Sequence, residues 1–365
     1  MAADSISTEE LRALLVAGQP VTVVDIREPA ERDWSIPGSL VVDAHDAINS
    51  GILGPLADLD FAGGPVVTVC GAGKTAALAT RLLRAKGVNA VTLEGGMRAW
   101  SLAWNIAETN LSGCGVIQVR RTGKGCLSYI VEADAEAVVI DASVDPVVYL
   151  KELRDRGWRL VAIVDTHIHA DHLSRSRSLA QLTGAELWLP ANDRTAFAFR
   201  AVTDGERIPF GSMALQALHT PGHTAESTTY LLDEAVAFTG DTLFLNGVGR
   251  PDLEGGSRGE SALRAGQLHH SSERLLQLLA GAVVLPGHVS DPIAFDGRLL
   301  ATTVGAIRDS VALTQMDRQE FVEAVLARIP ASPPNHSRIV ELNERGEVPE
   351  DASELEAGAN RCAIV

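Results

Sequence analysis

Runs of apolar residues divide the chain into two stretches in which strand and helix patterns alternate. In the first stretch, segments 21–26 and 65–70 are continuously apolar, which is typical of parallel strands buried on both faces. Segment 75–86 carries alanines and leucines at helical spacing and ends at Gly87, and segment 90–96 is a further strand pattern. This βαβ alternation predicts a first α/β domain.

The second stretch begins near Ser112 and is rich in short strand patterns. We predict strands at 126–132, 136–142, 160–166, 186–190, 214–220, 228–233 and 282–287, and helices at about 145–156, 172–183 and 260–280. Hairpin-like and βα-like connections both occur, so we expect sheets with helices on the outside. We therefore predict domains at 1–108 and 109–330, followed by a C-terminal extension at 331–365 that packs on the second domain or is partly mobile.

Composition and charge exclude several classes of protein. Of 365 residues, 46% are hydrophobic, so sizeable cores can form and general disorder is excluded. The 31 basic and 47 acidic residues give a net charge of −16, which disfavours nucleic acid and anionic membranes as partners. No apolar run reaches the ~18 residues of a membrane span. Four cysteines without a CxxC pair give no disulfide framework.

The first residues have neither the basic start nor the apolar segment of a signal peptide. Ser7 and Glu10 instead have the spacing of a capping box, which predicts a helix at 8–17. We therefore expect a cytoplasmic protein whose thiols stay reduced.

Histidines and aspartates concentrate at the ends of predicted strands in the second stretch. Four lie within six residues directly after one strand, namely His167, His169, Asp171 and His172. Alternate side chains of an extended segment point the same way, so His167 and His169 can converge on one point. Three more follow singly, each beside a glycine at a strand-to-loop junction, namely His223, Asp241 and His288. Imidazoles and carboxylates at this density predict a divalent metal site.

The pattern THIHADH…PGH…TGD…PGH resembles the metallo-β-lactamase superfamily. The resemblance covers about residues 112–330 and implies an αββα sandwich. The superfamily includes dizinc hydrolases such as glyoxalase II and mononuclear iron persulfide dioxygenases, and both keep all seven residues. The segment GRPD at 249–252 and the sequence ANRC at 359–362 resemble the dioxygenases. That resemblance implies a substrate role for Arg250 and Asp252, and an exposed turn pair is the alternative.

The dioxygenase resemblance implies one Fe(II) per chain, held by His167, His223 and Asp241. Two histidines and one carboxylate leave coordination positions open for the substrate and dioxygen. The other four residues, His169, Asp171, His172 and His288, would then orient these ligands. In the hydrolase alternative the same four complete two Zn²⁺ sites with Asp241 bridging, and a metal-bound hydroxide attacks a thioester.

Cys70 ends a predicted strand and precedes a glycine-rich turn and a helix. The turn consists of Gly71, Ala72, Gly73, Lys74 and Thr75. Its amides and the positive end of the helix favour a thiolate, and Lys74 adds positive charge. Such a sulfur can act as a nucleophile that carries a sulfane sulfur. A buried core cysteine is the alternative.

The segments CGAGKT at 70–75, VVDIREPAERDWSIPGSL at 23–40 and LEGGMRAW at 93–100 resemble the rhodanese (sulfurtransferase) family. The resemblance covers about residues 5–105 and implies that Cys70 is catalytic and that 71–75 is the active-site loop. The arginine that often ends this loop is replaced by Thr75, which disfavours anionic substrates such as thiosulfate unless Lys74 compensates.

Four other residues have structural roles in this interpretation. Asp25 and Arg27 are expected to hold the cysteine loop by charge pairing. Cys114 and Cys126 are expected to be apolar packing rather than reactive thiols.

Together the resemblances imply an α/β chain with an N-terminal rhodanese-like parallel-sheet domain followed by a metallo-β-lactamase αββα sandwich. The expected function is the iron-dependent oxidation of a glutathione-like low-molecular-weight persulfide to sulfite, together with sulfane sulfur transfer by Cys70. One alternative is a dizinc thioester hydrolase with an accessory rhodanese module, and another is a rhodanese module that binds or senses without catalysis. The expected partner is a small thiol or persulfide. The sequence leaves open whether the chain forms a homodimer.

Overall fold

The first hundred residues form a parallel sheet flanked by helices in the computed structural model, which describes residues 4–61, 63–333 and 335–365. Its elements are β1 (Ser5–Ile6), α1 (Thr8–Val16), β2 (Thr22–Asp25), β3 (Leu40–Val41), α2 (His45–Asn49), β4 (Val66–Val69), α3 (Lys74–Ala85), β5 (Ala90–Leu93) and α4 (Gly96–Trp100). The strand order is β1-β5-β4-β2-β3, and every neighbouring pair is parallel. The predicted α/β domain is confirmed, as is the capping box of Ser7 and Glu10 at the start of α1.

The rest of the chain forms two larger sheets with helices around them. The first sheet and its helices are β6 (Asn105–Leu111), β7 (Cys114–Arg120), β8 (Leu127–Ala133), β9 (Glu136–Ile140), α5 (Pro146–Arg156), β10 (Arg159–Val164), α6 (Ser176–Thr183), β11 (Glu186–Pro190) and β12 (Arg200–Val202). The remaining elements are β13 (Arg207–Phe210), β14 (Met213–His219), β15 (Thr228–Leu232), β16 (Val236–Gly240), β17 (Val248–Gly249), α7 (Arg258–Leu276), β18 (Val283–Pro286), β19 (Thr302–Thr303), α8 (Val304–Ser310), α9 (Arg318–Ala327), α10 (His336–Arg345) and β20 (Ala363–Ile364). The strand orders are β12-β11-β10-β9-β8-β7-β6 and β13-β14-β15-β16-β18-β19.

These two sheets stack face to face and enclose the largest hydrophobic core. Tyr129 and Val164 enter it from one sheet and Tyr230 and Phe238 from the other, with the rings of Tyr129 and Phe238 edge to face at 5.0 Å between centroids. Helices α5 and α6 cover the outer face of the first sheet, and α7, α8 and α9 cover that of the second. The layering is the expected αββα sandwich.

The change from the first domain to the second lies before β6. The predicted boundary after residue 108 falls inside β6, which pairs with β7 along its whole length. The hairpin turns at Ser112 and Gly113, both with positive φ. The sequence analysis predicts neither β6 nor β7. For β6 the reason is that it is an edge strand with exposed polar residues at Glu108 and Asn110, so its apolar alternation is weak.

The two domains are joined through buried contacts. The indole Nε1 of Trp34 donates to the carbonyl of Thr122 at 2.9 Å, and the Trp34 ring, which is 2% exposed, lies against Gly125. The guanidinium of Arg121 donates to the carbonyl of Ser101 at 2.9 Å. The loop between β7 and β8 therefore packs on the first domain.

The C-terminal extension packs on the second domain. Strand β20 pairs with β17, and Ile339 and Leu342 of α10 pack on Leu173. Glu356 is fully buried between Arg121 and Arg175, at 3.0 and 2.9 Å. Burial would raise the pKa of Glu356, but the two guanidinium groups outweigh burial and lower it to about 2.

Within the described ranges, no helix combines the length and apolarity needed to cross a lipid bilayer.

Candidate functional site

The seven residues predicted to form a metal site lie together at one end of the sandwich. His167, His169, Asp171 and His172 follow β10, His223 follows β14, Asp241 follows β16 and His288 follows β18. All seven are buried. Residues that follow four different strands, and that lie as far apart in sequence as His167 and His288, therefore meet at one point.

Three of these residues present converging atoms. Nε2 of His167 and Nε2 of His223 lie 3.7 and 3.4 Å from Oδ2 of Asp241. The ligand atoms of the three residues lie within 4.8 Å of one another. Nε2 of His167 and Oδ2 of Asp241 are buried and form no hydrogen bond. Because unpaired buried polar atoms are costly, this donor set fits a divalent metal ion.

Hydrogen bonds at the other ring nitrogens orient both imidazoles. The hydroxyl of Thr166 donates to Asp141 and therefore accepts from Nδ1 of His167, at 2.9 Å. Nδ1 of His223 donates to the carbonyl of Arg250 at 2.8 Å. With Nδ1 protonated, each Nε2 carries the lone pair that faces Asp241.

The electrostatics of the cluster favour metal binding. Burial lowers the pKa of His167 well below its ordinary value. Burial would raise the pKa of Asp241, but the neighbouring histidines, first of all His288 with Nδ1 2.9 Å from Oδ1, outweigh burial and hold the pKa of the carboxyl below its usual range. A neutral imidazole and an ionised carboxylate are the protonation states that bind metals.

The residues of the second candidate metal position are arranged differently. Asp171 and His172 group with the thiol of Cys126, whereas His288 groups with Asp241 and the thiol of Cys362. Nδ1 of His288 lies 2.9 Å from Oδ1 of Asp241. Nε2 of His172 and Nε2 of His288 are buried without a hydrogen-bond partner, so two possible ligand atoms remain here.

Both carboxylate oxygens of Asp171 are engaged. The side-chain amide of Asn360 donates to Oδ2 at 2.7 Å, and the thiol of Cys126 donates to the same oxygen at 3.0 Å. Nδ1 of His172 lies 3.1 Å from Oδ1. Cys126 is fully buried, as expected for a thiol that packs rather than reacts, but its packing is not purely apolar because the carboxylate of Asp171 accepts a hydrogen bond from it. Burial raises the pKa of Cys126, which keeps that thiol protonated.

Asp141 is a supporting residue that the sequence analysis missed. It follows β9 with a φ of +55°, and its carboxylate accepts from the backbone N–H of Thr166 at 2.7 Å and from Nε2 of His169 at 3.1 Å. Burial would lower the pKa of His169, but Asp141 outweighs burial and raises it to about 10. An aspartate at the end of the buried strand AVVID was the available signal.

Arg250 differs from both sequence expectations. It is fully buried rather than an exposed turn residue, and all five of its N–H donors are used. Two reach the carboxylate of Asp252 at 2.8 Å, and the others reach the carbonyls of Pro330, Ala331 and Arg361. No donor remains for a substrate, so the structure gives Arg250 and Asp252 an anchoring role. Arg250 fixes the C-terminal segment, and its own carbonyl orients His223.

A second site surrounds Cys70 in the first domain. Cys70 lies at the end of β4, and its Sγ accepts the backbone N–H of Ala76, in the first turn of α3, at 3.4 Å. The pocket in front of it has a volume of about 510 Å³. Its lining includes Gly71, Ala72, Lys74 and Thr75 of the predicted loop. Asp25 and Arg27 form a buried ion pair of 2.6 Å, and the Arg27 guanidinium also donates to the carbonyls of Glu31 and Trp34, so among the described residues the pair holds the segment 31–34 beside the pocket rather than the cysteine loop itself.

Two glycines from different segments meet at the backbone of the cysteine loop. Gly73, with a φ of +85°, is the N-cap of α3, and Gly96 has a φ of +58°. A Cβ on Gly96 would lie 2.2 Å from the carbonyl of Cys70, so only glycine fits there. The backbone N–H of Met97 donates to the same carbonyl at 2.9 Å. The second glycine of LEGGMRAW is thus explained by its contact with the Cys70 loop, whereas a Cβ on Gly95 would meet Ala99 at 2.7 Å.

Comparison with known proteins agrees with a division of the chain into two domains. A profile described as "Rhodanese-like domain" matches residues 7–103, and one described as "Metallo-beta-lactamase superfamily" matches residues 121–288. A crystal structure of ETHE1 from Myxococcus xanthus is similar, with a TM-score of 0.54 and 29% identity, and the match covers 62% of this chain and 96% of that one.

Two kinds of curated relative match this chain about equally well. Persulfide dioxygenase ETHE1, mitochondrial, of Bos taurus is 35% identical over 156 residues, which are 42% of this chain and 59% of that protein. Hydroxyacylglutathione hydrolase of Methylobacillus flagellatus is 35% identical over 162 residues, which are 44% of this chain and 60% of that protein. The chain therefore spans less than two thirds of the length of either relative, and sequence identity does not separate the two activities.

Proposed function

Because the chain has a rhodanese-like domain followed by a metallo-β-lactamase superfamily domain, we propose that it is a bifunctional enzyme of sulfur metabolism. The second domain oxidises a glutathione-like persulfide to sulfite with one iron ion and dioxygen. The first domain transfers sulfane sulfur through Cys70. Both centres then act on the same chemical class of sulfur compound, which explains why the two domains occur in one chain.

The observation that carries the proposal is the contrast between Asp241 and Asp171. Oδ2 of Asp241 has no hydrogen-bond partner and faces two imidazole nitrogens, whereas both oxygens of Asp171 are already bonded within the protein. A dizinc centre needs Asp171 as a ligand of its second metal. The arrangement favours one metal on a two-histidine, one-carboxylate set, which is the set typical of non-haem iron oxygenases.

The roles of the chain's own residues follow from the geometry. His167, His223 and Asp241 would hold the ion, and Thr166 and the carbonyl of Arg250 fix the orientation of the two imidazoles. A bound ferrous ion supplies the one-electron chemistry with dioxygen that side chains lack. A cavity of about 120 Å³ lies against His288 and Phe244.

The second candidate, a dizinc thioester hydrolase, is favoured by two unpaired atoms. Nε2 of His172 and Nε2 of His288 are available as ligands of a second metal. The similarity to a hydroxyacylglutathione hydrolase at 35% identity also favours this candidate. In that case the carboxylate of Asp171 must exchange the amide of Asn360 for the metal.

One experiment separates the two functions. The protein, isolated without oxygen, is mixed with glutathione persulfide and dioxygen, and oxygen uptake and sulfite are measured; a glutathione thioester is offered in parallel. We expect oxygen uptake matched by sulfite and no thioester cleavage. Asp241→Asn should abolish uptake, whereas Cys70→Ser should leave it intact and abolish sulfur transfer. Thioester cleavage without oxygen uptake would refute the proposal.

A further inference from the structure

The segment that carries four of the seven residues of the candidate metal site has no regular secondary structure. Residues 165–175, between β10 and α6, form neither helix nor strand, although all of them except Ile168 and Ser174 are buried. Buried backbone groups that pair in neither a helix nor a sheet need hydrogen-bond partners elsewhere. The partners of this segment therefore decide where its side chains lie.

Asn343 of α10 supplies three of these partners. Its side-chain amide donates to the carbonyl of His169 at 2.8 Å and to the carbonyl of His172 at 2.9 Å, and its Oδ1 accepts the backbone N–H of Ser174 at 2.8 Å. Both amide hydrogens and the amide oxygen are thus bound to one turn, residues 169–174. Because Asp171 lies within this turn, one side chain of the C-terminal extension fixes the backbone on both sides of it.

Helix α10 is also held by contacts that do not involve Asn343. The guanidinium of Arg177 donates to the carbonyls of Arg345 and Gly346, at the end of the helix, at 2.9 and 3.1 Å. The side chain of Leu342, next to Asn343, is buried. A substitution of Asn343 therefore removes the bonds to the turn and leaves these anchors of the helix in place.

The turn is in direct contact with one of the three residues that would hold the ion. The ring centroids of His169 and His167 are 4.2 Å apart, and those of His169 and His172 are 4.1 Å apart. Nδ1 of His172 lies 3.1 Å from Oδ1 of Asp171. A displacement of the carbonyls that Asn343 binds would move the ring that packs on His167 and would change the direction of the Asp171 carboxylate.

We propose that Asn343 is a positioning residue of the metal centre, which holds the turn at 169–174 in the conformation that orients His167 for the ion. This deepens the proposed function and rests on it in one respect, namely that a metal ion binds at His167. All three hydrogen bonds of Asn343 go to backbone groups, so it acts through the turn and not as a ligand. Its loss should change the affinity of the metal site while the second domain stays folded.

The first test compares Asn343→Ala with the unaltered full-length protein. The affinity for Fe(II), from competition with a chelator under anaerobic conditions, should fall about tenfold, the lower end of the usual effect of losing an orienting contact. Hydrogen–deuterium exchange of the metal-free proteins, followed by mass spectrometry, should be faster at 169–174 in the variant, because the N–H of Ser174 has lost its acceptor.

A second variant, Asn343→Asp, separates hydrogen bonding from the filling of space. The aspartate has the size of asparagine and keeps an acceptor for the N–H of Ser174, but its carboxylate cannot donate to the carbonyls of His169 and His172. We expect it to lower the affinity for Fe(II) at least as much as Asn343→Ala does. An affinity equal to that of the unaltered protein would show that the two donated bonds are not needed and would overturn the inference.

Two controls separate positioning from general stability. Val325→Ala shortens a fully buried side chain in the cluster that covers the outer face of the second sheet, so it should lower the free energy of unfolding and leave the affinity for Fe(II) unchanged. Arg338→Gln, an exposed site on α10, should change neither. The inference is overturned if Asn343→Ala binds Fe(II) as tightly as the unaltered protein, or if Val325→Ala loses as much affinity as Asn343→Ala.

The inference and the proposed function can fail separately. A protein that binds zinc and no iron would refute the proposed function, and a weaker affinity for zinc in Asn343→Ala would then still support the inference. An unaltered protein that binds iron, with an equal affinity in Asn343→Ala, would refute the inference alone.

Discussion

The side-chain amide of Asn360 donates a hydrogen bond of 2.7 Å to Oδ2 of Asp171, across 189 positions of sequence. The backbone N–H of Cys362 in turn donates to Oδ1 of Asn360 at 2.9 Å, which fixes the amide orientation. The C-terminal extension therefore reaches the centre of the metal site. It occupies the oxygen that a second metal ion would require.

Removing this amide should open the second metal position. In Asn360→Ala, Oδ2 of Asp171 keeps only the weak thiol donor Cys126, while Nε2 of His172 and of His288 remain unpaired. We expect the metal content after zinc reconstitution to rise from about one toward two per chain, measured by elemental analysis. Asn110→Ala, an exposed position on β6, serves as the control. An unchanged ratio in Asn360→Ala would show that Asn360 does not set the metal number.

Replacing Arg250 by lysine should weaken metal binding without removing a ligand. Lysine has three donors on a single nitrogen and cannot bridge Asp252 and three carbonyls, so the carbonyl that orients His223 loses its support. We expect the affinity for Fe(II) to fall about 10- to 100-fold, the usual effect of losing an orienting contact. Competition with a chelator measures it. The exposed Arg258→Lys is the control, and equal affinities in both variants would contradict this role.

The buried carboxylate of Glu356 should make stability depend on acid pH. Its folded pKa of about 2 lies below the ordinary 4.5, so its stabilising effect is complete above pH 4.5 and is lost as the pH falls through about 2. We expect Glu356→Gln to lower the free energy of unfolding by about 3 kcal/mol at pH 7. At pH 3 this difference should fall to less than half.

Denaturant titrations at the two pH values measure the difference. Glu347→Gln, an exposed site on the same extension, should change stability little at either pH. A loss of stability in Glu356→Gln that is the same at pH 7 and pH 3 would mean that Glu356 does not act through its charge.

Trp34 should hold the two domains together. Trp34→Ala removes a buried ring and the bond to the carbonyl of Thr122, and we expect a loss of about 3 kcal/mol in unfolding free energy. Trp34→Phe keeps a ring but leaves that carbonyl unpaired, at a cost of about 1 kcal/mol. Calorimetry measures both. The half-buried Trp158→Ala should cost less than Trp34→Ala, and the reverse order would contradict the interface role.

Local sequence specifies where the residues of the candidate metal site lie. The four residues 167–172 follow one buried strand, and the three single residues stand beside glycines at strand ends, so the αββα layering brings them together. The helix at the N-terminus was also predictable, because Ser7 and Glu10 contact each other within one turn. Local sequence patterns are sufficient to predict a feature when the contacts that form it lie within a few residues of one another.

The remaining features depend on contacts between distant segments. Asn360 and Glu356 lie in a polar extension that gives no periodic signal, and their partners are more than 180 positions away. The pairing of Arg250 with Asp252 was visible in the sequence. Its burial was not, because the carbonyls that complete it come from residues 330, 331 and 361. Tertiary structure, rather than residue type, decided these roles.

The account depends on a single redox-active ion at His167, His223 and Asp241. Elemental analysis of anaerobically isolated protein, with the Asp241→Asn variant beside it, tests this most directly. We predict about one iron per chain, little zinc, and loss of the iron in the variant. Two zinc ions per chain in the unaltered protein, with no iron and no oxygen uptake on addition of iron, would contradict it.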